Sequence, residues 1–273
     1  LNVILDIVLV YGVEGLIAPM HIEGAAYASV LSQIVMAGIA ASLLVKKTSI
    51  SLKVQLPFNK EIKRMLGMIS NLFIRTIALN VALYFGTSYA TSYGKEYIAA
   101  YTIGLNIWFL GAFIIDGYSS AGNILSGKLF GQENYQALLR LSSKLIKYGI
   151  ILGISMAIIG GLFYEIIGTV FTKDPKVLHE FYQVFWIILL MQPLCALAFI
   201  FDGVFKGLGK MKYLRNVLLF STFMVFLPLL FWLDSMNYKL YGIFIAITGW
   251  IVARGVPLII KFRQQFSLLS QKV

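Results

Sequence analysis

Charged residues stand inside the long apolar runs of this sequence, Asp6, Asp116 and Arg75 among them. A charge at the centre of a bilayer costs about 2.5–3.5 kcal/mol on insertion scales, so such groups face a cavity or a partner. A carboxylate in low dielectric favours uptake of a proton or a cation, which makes Asp6 a candidate coupling group. Asn2 precedes it by one turn on the same helical face, within hydrogen-bonding reach. Arg75 lies about ten residues into its run, and Asp116 about nine from the end of the next, so both sit roughly 14 Å deep. Equal depth on consecutive antiparallel helices predicts a buried ion pair with a structural or gating role. Asn80 and Asn106 would extend that polar track into a substrate cavity. Asp202 and Arg215 flank a short glycine-containing connection and are predicted to pair across it near the surface, with Arg254 at a similar level.

Other chemistries find few residues. There is no glycine-rich phosphate cradle, nucleotide motif or nucleophile–base pair. Enzymatic activity and ATP-driven work by this chain are therefore not expected. The single cysteine, Cys195, precludes an intrachain disulfide, and with two widely spaced histidines no metal-ligand cluster is expected. No cofactor is expected either. The remaining energy source is an ion gradient: a unit charge crossing 100 mV releases roughly 2.3 kcal/mol.

The elements that must position these residues are long and apolar. Hydrophobic residues make up 59% of the chain, charged residues 13%, and mean hydropathy is +0.82. Eight apolar stretches cover 1–17, 24–45, 65–90, 97–125, 142–171, 180–205, 214–233 and 240–262. Runs of about 20 residues match a hydrocarbon core of roughly 30 Å, and an isolated backbone in lipid satisfies its own hydrogen bonds as a helix. Pro193, Pro228 and Pro257 fall inside such runs and favour kinks.

Basic residues alternate between the gaps. Lys46, Lys47, Lys53, Lys60, Lys63 and Arg64 fill 46–64. Lys128, Arg140, Lys144 and Lys147 follow the fourth run. Lys206, Lys210, Lys212 and Arg215 follow the sixth, and Lys261, Arg263 and Lys272 the eighth. The other gaps hold only Lys95, Lys173, Lys176 and Lys239. This asymmetry predicts a cytoplasmic C-terminus in a multi-pass, inner-membrane protein. The net charge of +11 is spread over separate loops. It therefore reads as topology and lipid contact rather than nucleic-acid binding.

An internal echo suggests a repeat. Asn2-Val-Ile-Leu resembles Asn216-Val-Leu-Leu, and each leads through an apolar run and a turn to Gly24 or Gly242. At the site of Asp6 the second copy carries Phe220. Both copies start on the same side, as in parallel-repeat transporters. Symmetry then predicts four helices ahead of Leu1 and a twelve-helix whole.

The ordered motifs resemble the multidrug and toxic compound extrusion (MATE) transporters, in particular their DNA-damage-inducible (DinF) branch. Asn2 to Asp6 is similar to the fifth-helix motif, and Gly24 through Ser29 to Gln33 to the start of the sixth helix. Phe73-Ile-Arg75-Thr76 is similar to the seventh-helix arginine motif. Asp116-Gly117 with Gly127-Lys128 and Gly131-Gln132 resembles the eighth-helix end. Asp202-Gly203 to Gly207 with Leu214-Arg215-Asn216 resembles the tenth-to-eleventh connection, and Ala253-Arg254-Gly255 the twelfth helix.

The resemblance implies an all-α polytopic membrane protein: helices five to twelve of a twelve-helix, two-lobed transporter lacking its N-terminal part. Residues 1–45 would close the N-terminal lobe, 46–64 would link the lobes in the cytoplasm, and 65–273 would form a six-helix C-terminal lobe. It further implies a cation-coupling site at Asn2, Asp6 and Ser29. The family's first-helix aspartate would lie ahead of Leu1. The implied activity is antiport, coupled to H⁺ or Na⁺, that exports amphiphilic or cationic compounds. A cavity rich in aromatic residues and methionine, Trp108 among them, suits such cargo. Two alternatives stand beside it. One is a related flippase for lipid or polysaccharide precursors, which would need several cationic groups in its cavity. The other is an inactive partial lobe.

Overall fold

The computed structural model describes residues 1–12, 18–47 and 60–270. Every regular element among them is helical. In order these are α1 (Asn2–Val10), α2 (His21–Lys47), α3 (Lys60–Ser92), α4 (Lys95–Gly131), α5 (Tyr135–Leu162) and α6 (Tyr164–Phe171). Then follow α7 (Pro175–Gly207), α8 (Met211–Phe220), a π-helical segment Ser221–Phe226, α9 (Leu227–Ser235) and α10 (Lys239–Ser270). Seven spans among the described residues are long and apolar enough to cross a membrane. The first apolar run departs from expectation: α1 ends at Val10, and the run's end, 13–17, lies outside the described residues. Most of the expected 46–64 linker lies outside them too.

The chain divides into two compact units, Leu1–Lys60 and Glu61–Val273. In the first, α1 meets the start of α2 closely. The Met20 amide donates to the Leu9 carbonyl at 2.9 Å. A Cβ on Gly24 would fall 2.5 Å from that same carbonyl oxygen, so only glycine fits. Gly242 plays the matching part in the second unit, where a Cβ would lie 3.1 Å from Cβ of Leu233 at the end of α9. The two glycines suggested by the internal echo thus serve the same helix-to-helix approach.

The second unit is organised around α7. More of its apolar window is buried, 61%, than of any other span. Small residues let α4 come against it. A Cβ on Gly203 would fall 2.2 Å from Ser119 Oγ, and one on Gly207 2.2 Å from the Asn123 carbonyl oxygen. This small-xxx-small spacing brings backbones into contact where lipid gives no hydrophobic drive for association. Ser119 Oγ closes the seam by donating to the Phe199 carbonyl at 2.6 Å. On another side, Gly255 of α10 lies against Ala198.

Several apolar stretches depart from simple straight spans. The stretch 142–171 is not one helix. α5 begins earlier, capped by the Asn134 side chain on the Ala137 amide, and ends at Leu162. The short α6 is held separately, with the Tyr182 hydroxyl donating to the Glu165 carbonyl at 2.9 Å. The 214–233 stretch opens into a π-turn just before Pro228, the residue without an amide proton to donate. Pro193 lies inside α7 where Gly153 of α5 packs on it, and Pro257 lies inside α10 with its carbonyl accepting from the Tyr213 hydroxyl.

Candidate functional site

Asp202 stands one turn and a residue before the end of α7 and is 3% exposed. The glycine seam turns the end of α7 toward α4, and α3 and α10 bring arginines to the same carboxylate. Nη2 of Arg75 donates to both carboxylate oxygens at 2.7 Å. Nη2 of Arg254 lies 3.2 Å from Oδ1, and Nζ of Lys206, one turn further along α7, 3.0 Å from Oδ2. Arg254 also stacks over the Phe199 ring, 4.9 Å from its centroid, a cation–π contact.

This cluster corrects two pairings read from the sequence. Arg75 does not pair with Asp116. Its partner is Asp202, and the exposed Asp116 is in no ion pair among the described residues. Asp202 does not pair with Arg215 either. α7 ends at Gly207, Gly209 takes the left-handed conformation that reverses the chain (φ 68°), and Arg215 bonds the adjacent Asn216 at 2.7 Å. Arg254 is buried in the bundle. Lys206, counted above among loop charges, faces Asp202. The i,i+4 spacing of Asp202 and Lys206 was the sequence signal for that contact.

The cluster walls a cavity of about 290 Å³. Leu79, Leu83 and Ala112 line it, together with the aromatic rings of Trp108, Phe109, Phe113, Phe199 and Trp250. Asp116 is on the lining, so it shares the cavity with Arg75 without touching it. Asn80 and Asn106 are exposed and do not line the cavity; Asn80 bonds the Thr76 carbonyl of its own helix. Two buried bonds fix the tryptophans: Trp108 Nε1 donates to Cys195 Sγ at 3.1 Å, and Trp250 Nε1 to Thr222 Oγ1 at 3.0 Å. Thr222 belongs to the π-turn, so that irregular segment touches the cavity wall through Trp250.

A second polar clasp joins the other ends of the helices, about 27 Å further along α3 at 1.5 Å per residue. The Tyr93 hydroxyl donates to Asp234 at 2.5 Å, and Lys239 Nζ donates to the Tyr97 hydroxyl at 3.1 Å. Burial first, then the bond to Asp234, pushes Tyr93 above the ordinary tyrosine range.

In the first unit, Asp6 is half-buried on α1, while Asn2 and Ser29 are exposed. Asn2 and Asp6 share no hydrogen bond among the described residues. No group of three or more potential metal-ligating side chains occurs among the described residues.

Three comparisons place this architecture. The chain is 30% identical to Protein DETOXIFICATION 42 of Arabidopsis thaliana over 84% of its own length and 43% of that protein's. It is 22% identical to DNA damage-inducible protein F of Escherichia coli over 97% of the chain and 57% of that protein. It therefore spans about half the length of these relatives. A solved outward-facing multidrug resistance MATE transporter superposes over 99% of this chain and 61% of its own, with a TM-score of 0.85 at 21% identity. The MatE family profile matches residues 72–232. With seven membrane-capable helices, this is a multi-pass membrane protein. The match covers α3 beyond its first turns through most of α9, including Arg75, Asp202 and the aromatic wall of α4; the chain belongs to the MatE family of multidrug and toxic compound extrusion proteins.

Proposed function

We propose that this chain forms part of a secondary active transporter that exports amphiphilic compounds in exchange for a cation, H⁺ or Na⁺. The carrying observation is the cavity in the second unit, with a charged wall at Asp202 facing an aromatic wall at Trp108, Phe109 and Trp250. Apolar cavities with a few convergent polar groups are the usual form of small-molecule sites. In this reading, residues 65–273 are the C-terminal lobe, α1 and α2 close the N-terminal lobe, and the C-terminus lies in the cytoplasm of an inner membrane. Asp6, with Asn2 and Ser29, takes the coupling cation, and its occupancy biases one lobe conformation over another.

The test is efflux from vesicles reconstituted with the full-length protein. Dye extrusion that follows an imposed H⁺ or Na⁺ gradient is expected. Extrusion indifferent to both gradients would remove coupled antiport. The flippase reading also gains from a specific observation: Arg75, Lys206 and Arg254 are all on the cavity lining, where the sequence placed only Arg75 at depth. Movement of a fluorescent anionic lipid between leaflets, without dye efflux, would favour it.

A further inference from the structure

A groove of about 750 Å³ runs along the second unit between α7, α10 and the helix that holds the π-turn. It shares no lining residue with the cavity at Asp202. Gly249 and Ala253 of α10 face the groove, whereas the next residues, Trp250 and Arg254, face that cavity. The α10 wall runs from Ile245 to Pro257 in helical steps, about 18 Å at 1.5 Å per residue. The hydrocarbon of one leaflet is about 15 Å deep, half of a core of roughly 30 Å. The π-turn builds the opposite wall. Residues five apart in an α-helix point roughly 140° apart, and the wider turn swings Val225 toward the side of Phe220. Gly249 lets that wall close in: a Cβ there would fall 2.9 Å from Cδ2 of Leu229. Apart from the Trp186 indole, the only polar side chain among the lining residues is Thr248, and its hydroxyl donates to the Phe244 carbonyl at 2.8 Å. Trp186, Leu190 and Phe220 are each more than half exposed, so the groove is open to the surroundings of the helices.

One end of the groove is basic. One turn before Phe220, Asn216 Oδ1 accepts from Nε and Nη2 of Arg215 at 3.0 and 2.7 Å, which holds that guanidinium beside the stripe. Arg263 stands exposed two turns past Val256 on the same face of α10, and Lys212 is exposed one turn before Asn216. Neither α8 nor α10 contains an aspartate or glutamate. Asp234, the acid of α9, is at the far end, bonded to Tyr93. A groove within membrane-spanning helices that is uncharged along its length and basic at one end has the polarity of an acidic phospholipid. We propose that it holds one acyl chain of such a lipid, with the phosphate met by Arg215 and Arg263. The chain covers apolar wall and strands no polar group, while long basic side chains reach the head at the interface. The lipid also buttresses the π-turn: Val225 touches the chain, and Thr222, three residues earlier, holds the Trp250 indole.

Native mass spectrometry of the full-length protein in detergent tests this, with dioleoyl phosphatidylglycerol and dioleoyl phosphatidylcholine as matched lipids. Val252→Trp fills the groove from a position that is 39% exposed and so has room for the larger ring. One phosphatidylglycerol adduct should disappear in Val252→Trp, and at that site phosphatidylcholine should bind at least tenfold more weakly. Arg215→Gln and Arg263→Gln should each weaken the adduct about fivefold. Lys144→Gln, an exposed position on α5, which does not line the groove, should leave it unchanged. If Val252→Trp does not fold, Leu190→Trp on the α7 wall, 61% exposed, fills the groove instead. Wild-type lipid binding in the filled variant, equal binding of the two lipids, or binding indifferent to both arginine changes would each overturn the proposal. Dimers that Val252→Trp dissolves would overturn it too, by assigning the groove to a second copy of the chain.

Discussion

Arg75 of α3 and Asp202 of α7, 127 residues apart in sequence, meet at 2.7 Å in the interior of the second unit. Both oxygens of Asp202 are taken, and Arg254 and Lys206 complete the shell. A buried charge in such a shell is costly to strand, even where the shell as a whole adds little net stability.

Removing one member should therefore be severe. Arg75→Ala and Asp202→Ala are each expected to destabilise the protein by about 3–5 kcal/mol, the usual range for breaking a buried pair. A double-mutant cycle on detergent-solubilised protein should show far stronger coupling between Arg75 and Asp202 than between Arg75 and Asp116. Coupling to Asp116 in place of Asp202 would contradict the pairing.

The glycine seam between α4 and α7 makes a separate prediction. A Cβ on Gly203 meets Ser119 atoms at 2.2 and 2.5 Å, the second being its backbone oxygen. Gly203→Ala must push the helices apart, with an overpacking cost of about 1–3 kcal/mol. Gly117→Ala, on the same α4 but with nothing within 4 Å, should be neutral or stabilising by about 0.5–1 kcal/mol. Thermal melts of both variants measure the difference.

The Tyr93–Asp234 clasp should respond to alkali. Tyr93 is held above the ordinary tyrosine value of 10.0 by burial and by its bond to Asp234. The folded state keeps this proton in a window where the unfolded chain releases it. The contribution is therefore complete below about pH 10 and is lost as pH rises toward the folded value. The melting temperature should fall across that window, and Tyr93→Phe should show a smaller fall. An identical pH profile in Tyr93→Phe would assign the alkaline loss to other groups.

Orientation can be read with single cysteines, since Cys195 is fully buried. Ser92, the last residue of α3, and Gln132, in the α4–α5 turn, are both exposed. An impermeant maleimide on intact cells should label Ser92→Cys and leave Gln132→Cys unmodified. The reverse pattern would invert the topology.

Asp6→Asn tests the proposed coupling group within the full-length protein. It keeps shape and hydrogen-bonding capacity but loses the charge. Dye binding should persist while efflux stops following the imposed gradient. Wild-type gradient dependence in Asp6→Asn would leave Asp6 a structural residue. Loss confined to a pH gradient would identify the ion as H⁺.

The lengths of the apolar runs and the absence of any alternation of short strands determined an all-helical membrane architecture from sequence alone, because an unpaired backbone is too costly in lipid. The echo around Gly24 and Gly242 was legible for a similar reason: close helix approach demands glycine wherever it occurs. The place of Arg75 well inside its helix was legible too, since rise per residue fixes position along a helix axis. Its partner was not. Depth leaves open how each helix is rotated and which helices are neighbours. Those were decided by tertiary packing, through the Gly203–Gly207 seam against α4 and Gly255 against Ala198, which turned Asp202 and Arg254 inward. Asp116, the partner expected from spacing, lies exposed on the cavity lining instead. A sequence gives the height of a charge in the membrane, whereas its partner depends on rotation about the helix axis, and only packing of the whole bundle sets that.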